Sequence, residues 1–172
     1  MFISGSTVIY GTNGPCKIVR TESIDFGGGM TEYYVLVPVS DENSTLYVPT
    51  NDEKLVSRMR AVISPSDAHE LLSSVSGLPL IWTDDENERK LLYREVISGG
   101  DRKEMLSLIK TLLLQQELKK SKGRRLHISD ESFLKQAKLL LFSELSLALD
   151  IPVSELEART SSALISGEAR TA

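Results

Sequence analysis

The chain has 172 residues, 41% of them hydrophobic, and a formal net charge of -4. This length suits one domain or two small ones, and it can bury a core without a metal or a disulfide. The single cysteine, Cys16, excludes an internal disulfide and is expected to be a packed thiol. The sequence shows neither a secretory signal nor an apolar run long enough to cross a membrane, so we expect a cytoplasmic protein.

Residues 1–63 are predicted to form a β domain of short strands joined by tight turns. The strand signals are alternating, β-branched or aromatic residues at Thr7–Tyr10, Cys16–Arg20, Glu32–Val39 and Thr45–Pro49. Three consecutive glycines between the second and third strands favour a mobile hairpin tip. This pattern is typical of a small, strongly bent barrel or a sandwich.

Residues 64–160 are predicted to be helical. The proposed helix starts are Ser64 followed by Pro65, then Thr83, Asp101 and Ser129, with a short last turn or helix near residues 154–159. The Ser/Ala-rich residues 161–172 are predicted to be a disordered tail.

Charge is segregated along the helical part of the sequence. Residues 66–88 carry six acids and no Lys or Arg, whereas residues 89–125 carry eleven bases against four acids. A basic segment on an acidic protein indicates an anionic partner, although a solvated helix surface is an equally simple explanation.

The only tryptophan, Trp82, stands directly before a run of acids and the basic segment. The acids suit the first turn of a helix that begins after Thr83, because the helix dipole favours negative charge there. A hydrophobic staple would need an apolar residue at Asn87, so a staple does not account for the tryptophan.

The sequence carries no catalytic or metal-binding pattern. Neither His69 nor His127 lies in an HExxH, CxxC or GxSxG context. The glycines Gly27–Gly29 lack the GK[ST] ending of a phosphate loop and precede a strand instead of a helix. We therefore predict a protein that is not an enzyme and uses no cofactor, metal or small-molecule substrate.

Several short motifs follow one another along nearly the whole chain. They are FxxG[ST]xVxYGxxGxxxI from Phe2, TEYYVLxP from Thr31, TLYVPxN from Thr45, RxVI from Arg60, IWTDDENER from Ile81, SGGD from Ser98, LIKTLLLQ from Leu108 and AKLLLFSEL from Ala137. In this order the chain resembles the CarD/CdnL family of bacterial RNA-polymerase-binding transcription regulators, in particular the low-GC Gram-positive type.

The resemblance implies an α+β protein whose residues 1–63 form a Tudor- or SH3-like β barrel. This domain would dock on a lobe of the RNA polymerase β subunit, partly through an exposed strand. The helical domain would contact promoter DNA at the upstream edge of the melted bubble, where a tryptophan wedge stabilises the open complex. A nucleoid-associated monomer is the corresponding expectation.

Two groups of residues are candidates for these contacts. Candidate polymerase contacts, each of which could instead belong to the barrel core, are Ile24, Phe26, Tyr33, Leu46 and Tyr47. Candidate DNA contacts are Trp82, Arg89, Lys90, Arg94, Lys119, Lys120, Lys122, Arg124 and Arg125, the last five in an exposed loop. Trp82 has two open roles, a DNA wedge or a core residue of the helical bundle, because six residues separate it from the first arginine.

Two other functions are compatible with the sequence. A β domain joined to a basic helical domain could bind nucleic acid in general, without polymerase. The chain could also be a protein-interaction adaptor whose basic segment is only solvated.

Overall fold

Short strands of β-branched and aromatic residues pair into one antiparallel sheet in the first of two structural units, Met1–Val62. The computed structural model describes residues 1–166. The strands are β1 (Thr7–Tyr10), β2 (Pro15–Asp25), β3 (Met30–Pro38), β4 (Leu46–Pro49) and β5 (Met59–Ala61). A four-residue helix, α1 (Glu53–Val56), lies between β4 and β5.

The sheet is not closed, so the Tudor- or SH3-like barrel that the resemblance implied is not confirmed. The strand order is β4-β3-β2-β1-β5, so β4 and β5 lie at opposite edges, and each is paired with one neighbour in the described part of the chain. The sequence analysis also missed α1 and β5, because elements of four and three residues carry too few positions to show a period.

One face of the sheet carries the apolar core of this unit. Its buried members are Val8, Cys16, Ile18, Tyr34, Leu36, Val48 and Met59. Cys16 is fully buried there, and burial raises the pKa of its thiol to about 11. A thiol with such a pKa stays protonated at neutral pH, which suits a packing residue better than a nucleophile.

The second unit begins at Ile63 and is helical. Its helices within the described residues are α2 (Pro65–Ser73), α3 (Glu86–Gly99), α4 (Arg102–Ser121), α5 (Ile128–Leu149) and α6 (Val153–Ser166). They enclose a second core, in which Tyr93 and Phe142 are the largest fully buried side chains. None of the helices up to residue 166 has the length and hydrophobicity needed to span a membrane.

Two of the predicted helix starts are confirmed by their capping hydrogen bonds. The Ser64 hydroxyl accepts from the Asp67 N–H at 3.1 Å, with Pro65 at the first helical position. The Asp101 carboxylate accepts from the Glu104 N–H at 2.9 Å and begins α4.

The other two predicted starts are wrong by two residues each. α3 begins after Asp85, not Thr83, because the Asp85 carboxylate accepts from two backbone N–H groups, at 2.8 and 2.9 Å. α5 begins after His127, not Ser129, and no side chain caps it. Its first turn contains Asp130, whose buried carboxylate is used elsewhere in the unit.

The predicted disordered tail is in part the end of a helix. Residues 161–166 complete α6, and Leu164 is fully buried in the second core. The composition of this segment does not indicate a helix, because its Ser and Ala side chains are small and its apolar residues are few and widely spaced. Residues 167–172 lie outside the described residues.

Lys110 is a buried cation that holds the turn after α2. Only 7% of it is exposed, and its ammonium donates to the carbonyls of Val75, Ser76 and Leu78 at 3.0–3.2 Å. These carbonyls end a 3-10 turn, Ser74–Gly77, and a positive charge is favourable where helical carbonyls point outward. Lys110 therefore joins α4 to the segment that leads to Trp82.

We predict that Lys110→Met lowers the free energy of unfolding of the helical unit. The methionine fills the same space but leaves buried carbonyls without a donor, which costs about 1–3 kcal/mol. Urea denaturation followed by fluorescence of Trp82, the only tryptophan, measures the effect. Lys103→Met, on the exposed surface of the same helix, is the matched control. Equal midpoints for the two variants would contradict the assigned role of Lys110.

Candidate functional site

Three aromatic rings form an exposed cluster on the sheet face opposite the core of the first unit. Ring centroids are separated by 5.3 Å for Phe26–Tyr33, 5.5 Å for Phe26–Tyr47 and 6.3 Å for Tyr33–Tyr47. Phe26 is 65% exposed and Tyr47 40% exposed. We call these three residues the aromatic cluster.

Strand register explains why these residues come together. Tyr47 pairs with Val35, so the two side chains share a face, and Tyr33 lies on that face two residues before Val35. A register shift between Ile18 and Arg20 turns the following part of β2, including Ile24, toward the same face. Four of the five predicted polymerase contacts therefore lie on this face or at its hairpin tip.

Leu46 is the exception among the predicted polymerase contacts. It pairs with Leu36, a core residue, and packs against the apolar core on the other face of the sheet. Alternation along β4 therefore separates it from its neighbour Tyr47. We leave Leu46 out of the docking surface and regard it as a packing residue.

The hairpin tip that carries Phe26 is held by Asp25. One carboxylate oxygen of Asp25 accepts from the N–H groups of Gly27, at 2.7 Å, and Gly29, at 3.0 Å. These bonds hold the pKa of Asp25 below its ordinary value. Gly27 and Gly29 both have φ of 100°, a conformation that other residues rarely adopt. The glycines thus form a defined turn that presents Phe26.

In the helical unit, Trp82 lies in a short segment before α3 that several side chains hold in place. The N–H of Ile81 donates to the Thr111 hydroxyl at 3.0 Å, and the Ile81 carbonyl accepts from the Tyr93 hydroxyl at 3.1 Å. Burial raises the pKa of Tyr93 to about 12, so its hydroxyl remains a donor. The Trp82 indole N–H donates to Asp84 at 3.0 Å.

The guanidinium of Arg89 packs against the face of the Trp82 ring. Its guanidinium carbon lies 4.3 Å from the centroid of the Trp82 ring, and its Nη1 donates to the carbonyls of Thr83 and Asp84 at 2.9 and 3.1 Å. Its remaining donors bind both carboxylate oxygens of Asp130, at 3.3 and 3.1 Å. The Asp130 side chain is fully buried and that of Arg89 is 6% exposed. We call Trp82, Arg89 and Asp130 the tryptophan clamp.

The clamp changes the interpretation of two sequence-predicted residues. Arg89 was a candidate DNA contact, but it is buried and its guanidinium is used within the unit, so we remove it from the candidate DNA surface. Trp82 is half-buried and packs against the helical core, yet part of the ring remains accessible. Trp82 therefore combines features of a core residue and of a DNA wedge, the two roles that the sequence left open.

The sequence analysis missed Asp130, because it lies 41 residues from Arg89 along the chain.

The other bases on α3 lie on its outer side. Lys90 forms an ion pair with Glu86 one turn earlier, and this bond contributes most to holding the pKa of Glu86 below its ordinary value. Arg94 is exposed. Both remain available at the surface.

The predicted basic loop is mostly the capped end of a helix. Lys119 and Lys120 belong to the last turn of α4, and Gly123, with φ of 67°, closes it. The N–H of Arg124 donates to the Lys119 carbonyl at 2.8 Å and that of Gly123 to the Lys120 carbonyl at 3.0 Å, as in a Schellman cap. Four of the five predicted bases there are exposed: Lys120, Lys122, Arg124 and Arg125.

Lys119 connects this basic end to the tryptophan clamp. Its ammonium lies 5.9 Å from the centroid of the Trp82 ring, and the residue is half-buried. Lys119 therefore places the basic end of α4 beside the tryptophan.

Comparison with known families identifies the first unit. Residues 2–63 match the family model described as the CarD-like/TRCF RID domain, and no curated protein matches the chain. The first unit is similar to this domain over almost its whole length, and we call it the RID domain after the model that it matches. RID domains are RNA-polymerase-interacting domains. The match ends at Ile63, where the helical unit begins.

The two faces of the RID-domain sheet carry different groups. Its apolar core lies on one face, whereas the aromatic cluster lies on the other and is exposed. Val35, between Tyr33 and Tyr47 on that second face, has no exposed surface. The rings therefore cover an apolar floor and still present their outer parts to solvent.

We predict that Asp130→Asn destabilises the helical unit and loosens Trp82. The amide keeps the shape of the carboxylate but leaves Arg89 as a buried charge without a counter-ion, and such breaks cost about 3–5 kcal/mol. Urea denaturation and the emission wavelength of Trp82 report the two effects. A shift of emission to longer wavelength is expected.

Glu131→Gln, at the exposed neighbour on α5, provides the control and should leave both readouts unchanged. The double variant Arg89→Met with Asp130→Leu should recover much of the lost stability, because it removes both charges together. A wild-type unfolding midpoint for Asp130→Asn would contradict the structural role of the pair.

Proposed function

We propose that this protein is a non-enzymatic transcription regulator. Its RID domain binds the lobe of the RNA polymerase β subunit, and its helical unit stabilises the promoter open complex by contacting DNA at the upstream edge of the bubble. The match of residues 2–63 to an RNA-polymerase-interacting domain carries the proposal. The segment Thr83–Arg89, TDDENER, supports assignment to the low-GC Gram-positive type. The protein acts as a nucleoid-associated monomer in the cytoplasm.

The aromatic cluster supports the polymerase part of this proposal. Exposed aromatic residues are enriched in protein interfaces, where they contribute large contact areas with little loss of side-chain entropy. Phe26, Tyr33 and Tyr47, with Ile24 beside them, provide such a surface on the RID domain. β4, which carries Tyr47, is an edge strand that can receive a strand of the partner.

The tryptophan clamp supports the DNA part. A wedge at a bubble edge must keep its orientation while it contacts unstacked bases, and Arg89 holds the Trp82 ring through direct contact. Lys119 beside the ring, and the exposed bases that follow it along the chain, provide positive charge for phosphates. Arginine and lysine at this end of α4 would position the helical unit, while Trp82 occupies the gap between base pairs.

The first experiment is binding of the full chain to the isolated β lobe of its cognate polymerase, by titration calorimetry. A complex in the micromolar range or tighter is expected from a docking domain. No detectable complex at tens of micromolar protein would remove the polymerase from the proposal and leave the general DNA-binding and adaptor functions. Open-complex lifetime in a purified transcription assay is the second measurement.

We predict that Trp82→Ala shortens the lifetime of the promoter open complex without changing binding to the β lobe. Stacking of an aromatic ring on a base contributes about 1–3 kcal/mol. A loss of ~2 kcal/mol corresponds to a lifetime about thirtyfold shorter. Dissociation in the presence of a competitor such as heparin measures the lifetime.

Two further variants separate a DNA role of Trp82 from a packing role. Trp82→Phe keeps a stacking ring and should retain part of the lifetime, whereas Leu91→Ala removes an exposed apolar residue of α3 and should retain all of it. Circular dichroism checks that Trp82→Ala remains helical. A folded Trp82→Ala protein with a wild-type lifetime would refute the wedge.

We predict that replacing Arg124 and Arg125 together by Ala weakens the salt dependence of DNA binding. Each neutralised duplex phosphate contributes about 0.9 to the slope of log K against log salt concentration, so the slope should fall by about 1.8. Fluorescence anisotropy on a labelled promoter duplex measures it. Lys103→Ala with Lys135→Ala, two exposed bases elsewhere, is the control pair. An unchanged slope for the arginine pair would show that these side chains are only solvated.

A further inference from the structure

Asp84 is an acid that the start of α3 does not explain. The helix begins after Asp85, so Asp84 lies before the cap and outside the first turn. Within the described residues, its carboxylate accepts from the indole Nε1 of Trp82 at 3.0 Å and from no backbone N–H of α3. The helix dipole therefore accounts for the acids that follow Asp84 but not for Asp84 itself.

Asp84 and Arg89 hold the Trp82 ring at two different places. The guanidinium carbon of Arg89 lies 4.3 Å from the ring centroid, over the face, whereas Asp84 binds the edge through Nε1, the only hydrogen-bond donor of the ring. Arg89 also donates to the backbone carbonyl of Asp84 at 3.1 Å, which fixes the main chain of this residue. Contact with the face alone lets the ring turn in its own plane, and the bond at the edge selects one orientation.

An acid beside a DNA contact is unfavourable unless it has another role. Asp84 is exposed, and a carboxylate repels nearby phosphates. Charge alone therefore predicts that removal of the Asp84 carboxylate strengthens the contact of the helical unit with DNA. A role in orienting the Trp82 ring predicts the opposite sign, because the ring would lose its fixed orientation.

We propose that Asp84 is a positioning residue for Trp82, whose indole N–H it holds so that the ring meets the DNA in one orientation. The proposal rests on the DNA contact given above and adds a residue that acts only through the tryptophan. A ring that is already oriented loses less rotational freedom when it stacks on a base, which favours the contact.

Asp84→Leu and Asp84→Asn separate the hydrogen-bond acceptor from the charge. Both variants remove the negative charge, but the asparagine keeps an oxygen that can accept from the indole N–H. Asp84→Leu should shorten the open-complex lifetime about three- to tenfold, the range that one hydrogen bond supports, and Asp84→Asn should retain most of the lifetime. Equal lifetimes for the two variants, or a longer lifetime for Asp84→Leu, would overturn the proposal.

Glu70→Leu provides the matched control for the change in net charge. Glu70 is an exposed acid of α2, a helix that contributes no candidate DNA contact. This variant should keep the wild-type open-complex lifetime. A loss equal to that of Asp84→Leu would count against a specific role of Asp84.

The free protein provides a readout that involves neither DNA nor polymerase. Because the chain has one tryptophan, its indole N–H gives a single NMR signal, whose chemical shift and exchange with solvent report the hydrogen bond. In Asp84→Leu the signal should move upfield and exchange faster, whereas in Asp84→Asn it should stay close to the wild-type position. An unchanged signal in Asp84→Leu would show that the carboxylate does not hold the ring.

The double variant Trp82→Ala with Asp84→Leu tests whether Asp84 acts through the ring. In the Trp82→Ala background, the second substitution should not shorten the lifetime further, because the group on which Asp84 acts is absent. Additive losses would overturn the proposal, since they would indicate a separate role of the carboxylate.

The outcomes distinguish this inference from the function on which it rests. If Trp82→Ala shortens the lifetime and Asp84→Leu does not, the wedge stands and the positioning role fails alone. If neither variant changes the lifetime while the indole signal moves in Asp84→Leu, the wedge fails and the inferred role of Asp84 in transcription falls with it.

Discussion

The buried pair of Arg89 and Asp130 determines where the only tryptophan lies. A guanidinium can be removed from water only when its donors find acceptors, and here a carboxylate, two backbone carbonyls and an indole ring surround it. These partners come from α5 and from the segment before α3, which includes Trp82. Because Arg89 itself belongs to α3, a single charged group joins three parts of the helical unit. The position of the indole is therefore a consequence of burying one cation, and the proposed DNA contact depends on a residue that does not face the DNA.

Local signals predicted much of the fold. The strand Thr7–Tyr10 and the caps at Ser64 and Asp101 depend on neighbouring residues alone, and the structure reproduces them. The closed barrel was not reproduced, since closure depends on whether two edge strands meet, and no local pattern encodes that. The predicted start of α3 at Thr83 was wrong, because Asp84 and Asp85 can also cap the helix and the sequence does not decide among the three. In the structure, Asp85 is the cap.

The candidate site was predictable in part for the same reason. The sequence could indicate Phe26, Tyr33 and Tyr47 as candidate surface contacts. Strand register was needed to place Leu46 on the other face of the sheet. The sequence analysis grouped Arg89 with its exposed basic neighbours, because the local charge pattern gives no information about a carboxylate 41 residues away. The basic end of α4 looked like a loop, although Gly123 caps a helix there. Contacts between residues that are distant along the chain account for most of the features that the sequence did not predict.

The edges of the RID sheet have a consequence for the behaviour of the protein at high concentration. A strand at the edge of a sheet can pair with the same strand of another copy, and repeated pairing produces a fibre. The edge strand β4 is short, because it has four residues and ends at Pro49, which lacks an N–H. A strand of this length offers too few donors for repeated stacking of the protein on itself.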